Sequence, residues 1–492
     1  MTHSVQGADR IPRRQLFSYS VAELPMSMVA TPVSLFLPAF YTQDLGLGMA
    51  TVGLVLMLSK FWDVATDPVI GYLSDRTRTR FGRRKPWILA AVPLVMISTY
   101  QLFLPPEDVD ATFLLAWIMV LWFGWTLFNI PYFAWGAELS PDYTDRTRIT
   151  GWRTMAGLVG TLTAIAIPAA AQQFFGWGGR NSETMLIIGI TGLCLIPLCV
   201  GVAGLFVPEK DNFVPAKRKI WAGLKIMWAN GPFRRLLIAF LVSSLATSLT
   251  VPLFVLFITH VLGDPTAAPK FVLFHYGANL LGIPFWMWLA RKTDKHITWL
   301  CSILIIGVMF PQFMWLNEGD VNLGLVLMVV IGFAVGNIMV VPASMKADVI
   351  DLDSVASGED RAGLFFAAWS TVTKLVSALG VGISMPILAW MGFDPTIRNA
   401  PEQLFAFQVY FSFAPVVFYF AAAFLIIGYP INRATHARIR KALARRGAAG
   451  GRHDPADPDE ILVQAMLSTG REAVAAGGVA AVPSPTSRGE VL

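Results

Sequence analysis

Apolar residues in this chain come in long stretches separated by short polar segments. A helix that crosses the hydrocarbon core of a bilayer needs about 20 apolar residues. Twelve stretches reach that length, so the pattern predicts an all-α polytopic membrane protein with 12 transmembrane helices. The predicted spans are Val21–Tyr41, Thr51–Leu73, Pro86–Leu104, Thr112–Trp135, Gly151–Ala171, Met185–Val207, Leu236–Thr259, Phe271–Ala290, Ile297–Leu316, Gly324–Val341, Gly363–Met391 and Leu404–Ile427.

A polar gap between the sixth and seventh spans divides them into two groups of six. We therefore predict an N-terminal six-helix half (1–208), a cytoplasmic middle loop (209–235) and a C-terminal six-helix half (236–433). Beyond Arg433 a basic stretch precedes a tail rich in Gly, Ala and Pro. Such a tail buries too little apolar surface to fold, so residues 434–492 are predicted to be a disordered cytoplasmic tail.

The composition of the 492-residue chain supports a membrane location. Hydrophobic residues make up 55% and charged residues 14%, against about 25% charged residues in soluble domains. The mean hydropathy of +0.57 excludes water-soluble, collagen-like and coiled-coil chains. The net charge of +6 comes from basic residues in short loops. Since such residues orient membrane proteins, we expect a bilayer and no nucleic acid as partner.

The basic loops also predict the orientation of the chain. Short loops rich in Arg and Lys face the cytoplasm, and such loops follow spans two, four and eight. Both termini are therefore predicted to be cytoplasmic, in a multi-pass protein of the plasma (inner) membrane. The basic residues of these loops are Arg76, Arg78, Arg80, Arg83, Arg84, Lys85, Arg146, Arg148, Arg291, Lys292 and Lys295.

Two acidic residues, Asp63 and Asp67, lie well inside the second span. Four residues apart, they share one face of a helix, and ionised groups in the bilayer cost several kcal/mol or more. Something positive must share that face: a proton, a metal cation, or a lysine such as Lys60 or Lys374. Intramembrane ionisable residues are usually functional, and the alternative is a static ion-paired cluster that only packs helices.

The loop after the second span, Gly71-Tyr-Leu-Ser-Asp75-Arg76 through Pro86, resembles the hallmark loop of the major facilitator superfamily. The preceding segment Lys60-Phe-Trp-Asp63-Val-Ala-Thr66-Asp67-Pro68 narrows the resemblance to the glycoside–pentoside–hexuronide:cation symporters, the family of melibiose permease. A weaker echo of the loop, Ala290 to Lys295, follows span eight. The resemblance implies two six-helix halves that rock about a central site.

The resemblance also implies a cation site at Asp63, Thr66, Asp67 and Thr126, with Lys374 beside it. Asp63 and Asp67 would ligate Na⁺ if the protein is sodium-coupled. The family more often has Asn at the position of Thr66, and a hydroxyl reaches less far than an amide. Both Na⁺ and H⁺ therefore remain open as the coupling ion, and no other cofactor is expected.

Solute-binding residues follow from the same resemblance. Melibiose-type members bind sugar hydroxyls with two acids, and Ser27 and Asn129 occupy the matching positions here. Arg153 matches a sugar-contacting arginine, although it could also be a membrane anchor, and Trp125 could stack on a sugar or face lipid. Loss of both acids argues against a galactoside. An anionic or amphipathic solute, as in the eukaryotic lysophospholipid symporters, is the alternative to a glycoside, hexuronide or related sugar derivative.

A cytoplasmic gate is predicted from acids in the loop after span ten. Asp348 and Asp351 could clasp the arginines Arg76–Arg84 across the two halves when the cytoplasmic gate is shut, unless these charges are indifferent. The predicted gate residues are Asp75, Arg76, Arg83, Arg84, Asp348 and Asp351.

No catalytic motif is present, so the chain is not expected to be an enzyme. The six histidines have no acids or cysteines beside them at the spacing of metal ligands. The sequence also has no Gly-x-x-x-x-Gly-Lys-Ser/Thr segment that would bind ATP. We predict a monomeric secondary transporter that moves a small-molecule substrate together with a cation. A cation-independent facilitator or exporter and a non-transporting membrane sensor remain as alternatives.

Overall fold

The computed structural model describes residues 11–106, 108–140, 143–177, 180–209, 228, 230–357, 362–448, 457–463 and 465–466. Within these residues the chain is a bundle of long helices joined by short loops. Buried apolar side chains along the helices form its core.

The N-terminal half consists of six consecutive spans. The first of them is made of several short helices and the others are continuous. Its elements are α1 (Arg13–Ser20), α2 (Glu23–Leu35), α3 (Leu37–Ala39), a π-helix (Phe40–Asp44), α4 (Met49–Arg76), α5 (Lys85–Phe103), α6 (Ala111–Glu138), α7 (Tyr143–Phe175) and α8 (Asn181–Phe206).

The C-terminal half repeats this arrangement and ends in an additional helix. Its elements are α9 (Gly231–Thr250), a 3-10 turn (Val251–Leu253), α10 (Phe254–His260), α11 (Ala268–Lys292), α12 (Lys295–Met309), a 3-10 turn (Phe310–Trp315), α13 (Val321–Ser357), α14 (Ala362–Trp390), α15 (Pro401–Ile426) and α16 (Arg433–Ala448).

Ten of the described helices are long and apolar enough to cross a membrane, and the bent first span makes an eleventh. The eighth predicted span coincides with α11, which is 25 residues long. The all-helical fold is thus confirmed, whereas the count of 12 crossings is matched only in part. The seventh span begins at Gly231 rather than at 236, and most of the predicted middle loop lies outside the described residues.

Prolines break the first span of each half at corresponding places. Pro38 at the start of α3 has no N–H to donate to the carbonyl of Ser34, and the first span bends by 47° there. Pro252 stands in the 3-10 turn after α9 and likewise cannot donate to the carbonyl of Ser248. At each break the carbonyl of a serine, Ser34 or Ser248, therefore lacks the N–H group that would bond to it in a regular helix.

The two halves pack together in the middle of the bundle and at one end. Gln43 Nε2 and His260 Nε2 lie 3.0 Å apart across the halves. On α14, Gly382 lies so close to α4 that an added Cβ would clash with Met57. We call the end of the bundle where these contacts lie the far end. The opposite end, which carries both α1 and α16, is called the terminal end.

The tail prediction was wrong for residues 434–448, which belong to helix α16. This helix packs against the terminal end of α13 and against a short segment at 457–463. Arg445 Nη1 contacts Asp457 Oδ1 at 3.0 Å, and Arg438 Nε contacts Asp459 Oδ1 at 2.6 Å. The backbone N–H of Asp459 and the Arg445 guanidinium lower the pKa of Asp457. Burial of Ile439, Ala442 and Val463 and these ion pairs together hold the segment in place, and residues 467–492 lie outside the description.

Candidate functional site

Helix α4 carries two carboxylates into the middle of the bundle. Asp63 is 1% exposed, whereas the Asp67 side chain keeps 24% exposure. The two residues lie one turn apart on the face of α4 that meets α6 and α14. The inner carboxylate is thus sealed by protein, and the outer one remains accessible.

Thr126 on α6 binds both carboxylates. Its Oγ1 lies 3.0 Å from Asp63 Oδ1 and 3.1 Å from Asp67 Oδ1. One hydroxyl has a single hydrogen to donate, so only one of the two acids receives it at a time. Thr66 completes the group, because its Oγ1 donates to the Asp63 carbonyl at 3.1 Å and lies 3.5 Å from Thr126 Oγ1.

Lys374 reaches the same carboxylates from the other half of the protein. Its Nζ lies 2.6 Å from Asp67 Oδ2 and 3.0 Å from Asp63 Oδ2. The structure therefore brings together all five residues predicted for the cation site: Asp63, Thr66, Asp67, Thr126 and Lys374.

The direct ion pairs of this group leave one negative charge without a contacting partner. Asp63 and Asp67 bring two negative charges, and Lys374 brings one positive charge. Lys60 forms no direct ion pair with the carboxylates but lies close enough to supply a second positive charge electrostatically. Oxygen atoms of two carboxylates and two hydroxyls offer hard ligands, which suit Na⁺, and a carboxylate can also take a proton.

Comparison with known proteins places this site in a family. The family described as MFS/sugar transport protein matches residues 18–433. The chain belongs to this family of major facilitator transporters. It is therefore a membrane transporter and not an enzyme.

Relatives of this family member share only modest identity but match along nearly their whole length. A sodium-dependent lysophosphatidylcholine symporter 1 of Xenopus tropicalis is 24% identical, over 90% of this chain and 92% of the relative. A protein of Escherichia coli (strain K12) provisionally named as a glycoside/cation symporter is 22% identical, over 91% of this chain and 98% of the relative.

A solved structure supports the fold. The crystal structure of a bacterial homologue of the human lysosomal transporter Spinster, in an inward-facing and unoccupied conformation, superposes with a TM-score of 0.62. It covers 90% of this chain and 98% of that chain, at 15% identity. At this identity the likeness concerns the major facilitator fold alone.

A second polar group of this transporter lies in the N-terminal half, near the terminal end of α2. Ser27 lies one helical turn after Glu23, and Ser27 and Arg153 on α7 both lie close enough to Glu23 to interact with its carboxylate. The Arg153 guanidinium carbon also stands 3.9 Å from the ring centroid of Phe133. Two of the four residues predicted to bind solute, Ser27 and Arg153, are thus brought together around Glu23.

The other two predicted solute residues lie on α6. The Oδ1 atom of Asn129 is buried and has no hydrogen-bond partner among the described residues. Trp125 packs edge-on against Trp122, with ring centroids 6.0 Å apart, so it lies towards the Lys60 side of α4.

Glu23 is a site residue that the sequence analysis missed. Its Oε2 atom is buried without a hydrogen-bond partner in the described part of the chain. The signal was available, because an acid inside a spanning helix is itself a functional indication. It was overlooked because Glu23 is the third residue of the predicted first span, where an acid resembles an ordinary helix boundary.

The predicted gate residues form two clusters, each within its own half. Arg84 Nη2 lies 2.6 Å from Asp75 Oδ1 and 2.8 Å from Glu138 Oε1, and Arg83 Nη2 lies 2.8 Å from Glu138 Oε1. Burial lowers the pKa of Arg84, but the hydrogen bonds to Glu138 and Asp75 outweigh burial and raise it overall. Arg76 lies against the ring of Tyr72, 3.7 Å from its centroid.

The acids on the other side of the predicted gate have different partners. Asp348 Oδ2 lies 2.7 Å from Lys295 Nζ. Asp351 Oδ2 lies 3.1 Å from His436 Nε2 and 3.7 Å from Arg440 Nη1. The clasp on the arginines of the N-terminal half, predicted for the shut gate, is therefore not formed in this structure. The physical reason is that α16 places basic side chains closer to these acids.

Proposed function

We propose that the protein is a symporter that moves a small organic solute together with Na⁺ or H⁺ by alternating access. The observation that carries the proposal is the contact of Lys374 in the C-terminal half with Asp63 and Asp67 in the N-terminal half. The ammonium occupies the place at the carboxylates that a transported cation would take. Cation binding and the contact between the halves thus compete for the same oxygen atoms.

This competition supplies a coupling mechanism. A cation that binds Asp63 and Asp67 displaces Lys374 and removes an ion pair that joins the halves. The halves are then free to rock once solute contacts compensate for the lost pair. Coupling of this kind is reciprocal, so a cation that raises the affinity for solute has its own affinity raised by the same factor.

The names of relatives support coupled transport. One relative is named as a sodium-dependent symporter and another as a glycoside/cation symporter. Their two kinds of solute correspond to two candidate solute classes for this chain.

A sugar derivative, such as a glycoside or hexuronide, is favoured by the polar group on α2, α6 and α7. Glu23 and Asn129 each have a buried acceptor oxygen without a partner in the described chain, and Arg153 is a donor nearby. Donors and acceptors on facing helices suit the hydroxyl groups of a sugar. The family description as a sugar transport protein supports the same class.

An amphipathic solute is favoured by a cavity of about 350 Å³ between α2 and the C-terminal half. Its wall is largely apolar, with a few hydroxyls and one imidazole. Residues that characterise the wall are Thr31, Phe254, His275, Tyr276, Phe411 and Tyr419. Binding cavities for small organic ligands are typically apolar with a few convergent polar groups.

The cation proposal is tested by calorimetric titration of Na⁺ into purified protein in sodium-free buffer. At about pH 7.5, ordinary carboxyl groups are ionised. We expect saturable binding that Asp67→Asn abolishes and that Asp394→Asn, in a surface loop, leaves unchanged. If the protein does not bind Na⁺, we expect it to take up a proton on acidification, and Asp67→Asn should abolish that uptake.

If neither ion binds through Asp67, the symport proposal is wrong. Solute transport that continues at full rate in Asp67→Asn would instead identify a cation-independent facilitator or exporter.

A further inference from the structure

A small cavity of about 110 Å³ lies between the halves, beside the proposed cation site, and its largely apolar wall carries one ammonium and four hydroxyls. Lys60 and Ser59 reach it from α4, Ser34 from α2, Ser248 from α9 and Ser377 from α14. Since a water molecule takes up about 30 Å³ of liquid volume, the cavity has room for a group of about three or four heavy atoms. A carboxylate has this size, and a phosphate head group, with five heavy atoms, is slightly larger.

Lys60 is a charged side chain without an acidic partner. Its Nζ lies over the ring of Trp122, 2.9 Å from the centroid. Within the described chain it forms no ion pair of 4.0 Å or less, although Asp63 is three residues away on the same helix. The aromatic face compensates for part of the lost hydration, and the hydrogen-bond donors of the ammonium remain available.

The hydroxyls around this cavity add further free donors. Among the described residues Ser34, Ser248 and Ser377 have no side-chain hydrogen-bond partner, whereas Ser59 donates to the Leu56 carbonyl at 2.7 Å. A cavity that offers an ammonium and three free hydroxyls is therefore complementary to a group that only accepts hydrogen bonds, as an ionised carboxylate or phosphate does.

The charge balance of the neighbouring cation site leads to the same ligand class. Lys60 is close enough to Asp63, Asp67 and Lys374 to interact with them electrostatically. The four side chains together sum to zero charge. A bound cation raises the sum to +1, and an anionic group beside Lys60 returns it to zero.

We infer that the Lys60 cavity binds the anionic head group of the transported solute. The small cavity and the large apolar-lined cavity share Ser34 and Val251 in their walls, so a head group at Lys60 would lead directly into space for an apolar or aromatic body. The solute class is an organic monoanion with such a body. This assignment rests on the proposed symport function, because the anion offsets the charge of the coupling cation.

The test uses two probes that differ only in the charged group: phenyl β-D-glucuronide and phenyl β-D-glucoside. Phenyl phosphate provides a phosphate head group on the same aromatic body. Binding of each is measured by calorimetry on full-length protein in nanodiscs, with and without Na⁺. Wild type is compared with Lys60→Gln and Lys60→Arg.

A matched control variant is Lys346→Gln. Lys346 is another buried lysine, 5% exposed, which lies on an aromatic ring at 4.0 Å from the Phe366 centroid. It does not line the Lys60 cavity. If removal of any interior lysine weakens binding, Lys346→Gln should weaken it as well.

We expect at least one anionic probe to bind wild type more tightly than the glucoside does. Lys60→Gln should weaken that binding about tenfold to hundredfold, as expected for loss of a charge-assisted hydrogen bond. Lys60→Arg should retain most of the affinity, and Lys346→Gln should retain all of it. Glucoside binding should be the same in every variant.

Three results would overturn the assignment: neither anion binds wild type, Lys60→Gln weakens glucuronide and glucoside equally, or Lys346→Gln has the same effect as Lys60→Gln. The Na⁺ and proton titrations on the same samples keep the two proposals separate. If a cation still binds through Asp67 while the anions fail, only the Lys60 assignment is wrong. If no cation binds, the symport function itself is wrong.

Discussion

Lys374 Nζ lies 2.6 Å from Asp67 Oδ2, although the two residues are 307 positions apart in the chain. The ion pair joins the two halves of the protein at their centre, where Asp63 contacts the same ammonium at 3.0 Å. One lysine therefore has two functions: it compensates for the charge of the carboxylates, and it holds the halves together.

Removal of this lysine should make the protein dependent on cations for stability. In Lys374→Met both carboxylates lose their counter-ion, and breaking a buried pair in this way costs about 3–5 kcal/mol. We expect a lower unfolding temperature without added cations and a larger stabilisation by Na⁺ or by acidification than in wild type. Thermal unfolding in detergent at several Na⁺ concentrations and pH values measures this.

The control is Lys295→Met, which removes the partner of Asp348 at the terminal end, where the lysine is 31% exposed. Partly exposed pairs contribute about 1 kcal/mol or less, and no cation dependence should follow. Equal responses of the two variants would contradict the role assigned to Lys374.

The hydroxyl of Thr126 should contribute directly to cation affinity. Thr126→Val keeps the shape but removes a hydroxyl that contacts both Asp63 and Asp67. Loss of a buried hydrogen bond costs about 1–3 kcal/mol, which corresponds to roughly 5-fold to 150-fold weaker binding. Calorimetric titration measures the change. Thr163→Val, which removes an exposed hydroxyl bonded only to the Val159 carbonyl, should bind the cation as wild type does.

Close packing at the far end should control which side of the protein is open. Any Cβ at Gly382 would clash with Met57 of the other half, so Gly382→Val should prevent the far end from closing. A cysteine introduced at Ser34 should then react several times faster with a reagent added from the far side. Gly201→Val is the control, because nothing lies within 4 Å of a Cβ at that position. Unchanged reactivity in Gly382→Val would show that the far end closes by other contacts.

Charge reversal at Asp351 should release helix α16. In Asp351→Arg the introduced guanidinium faces Arg440 and His436, the two residues that pair with the Asp351 carboxylate in the wild type. Hydrogen exchange of residues 433–448 should accelerate, and exchange in α4 should remain as in wild type. The same variant tests the predicted gate. If cysteines at the terminal end change in accessibility while the exchange of α16 stays as in wild type, the predicted clasp between the halves is supported.

The fold was predictable because long apolar stretches have few alternatives to membrane-spanning helices. The ends of the helices were less predictable. Helix α13 runs from Val321 to Ser357, well beyond the predicted span that ended at Val341, because its last turns carry charged residues such as Lys346, Asp348 and Asp351. Helix α16 was missed because its many basic residues hide the few apolar ones, Ile439 and Ala442, that it buries against the rest of the protein.

The cation site was predictable from the spacing of Asp63 and Asp67 together with the family resemblance. The charged side chains that tertiary structure brings next to the gate residues were not predictable. The position of Asp348 beside Lys295, and of Asp351 beside His436, depends on how α12 and α16 dock on α13. Glu23 and the Lys60 cavity likewise depend on which helix faces touch, and periodicity alone does not determine that.

The contact of one ammonium with both carboxylates has a consequence for the work that the proposed symport can perform. If one monovalent ion replaces Lys374 at Asp63 and Asp67 in each cycle, one positive charge crosses the membrane with a neutral solute. A membrane potential of 100 mV supplies about 2.3 kcal/mol for that charge, enough to concentrate a neutral solute about 40-fold to 50-fold. A monoanion carried with the same ion would cross without net charge. Its accumulation would then follow the chemical gradient of the ion alone and would be insensitive to voltage.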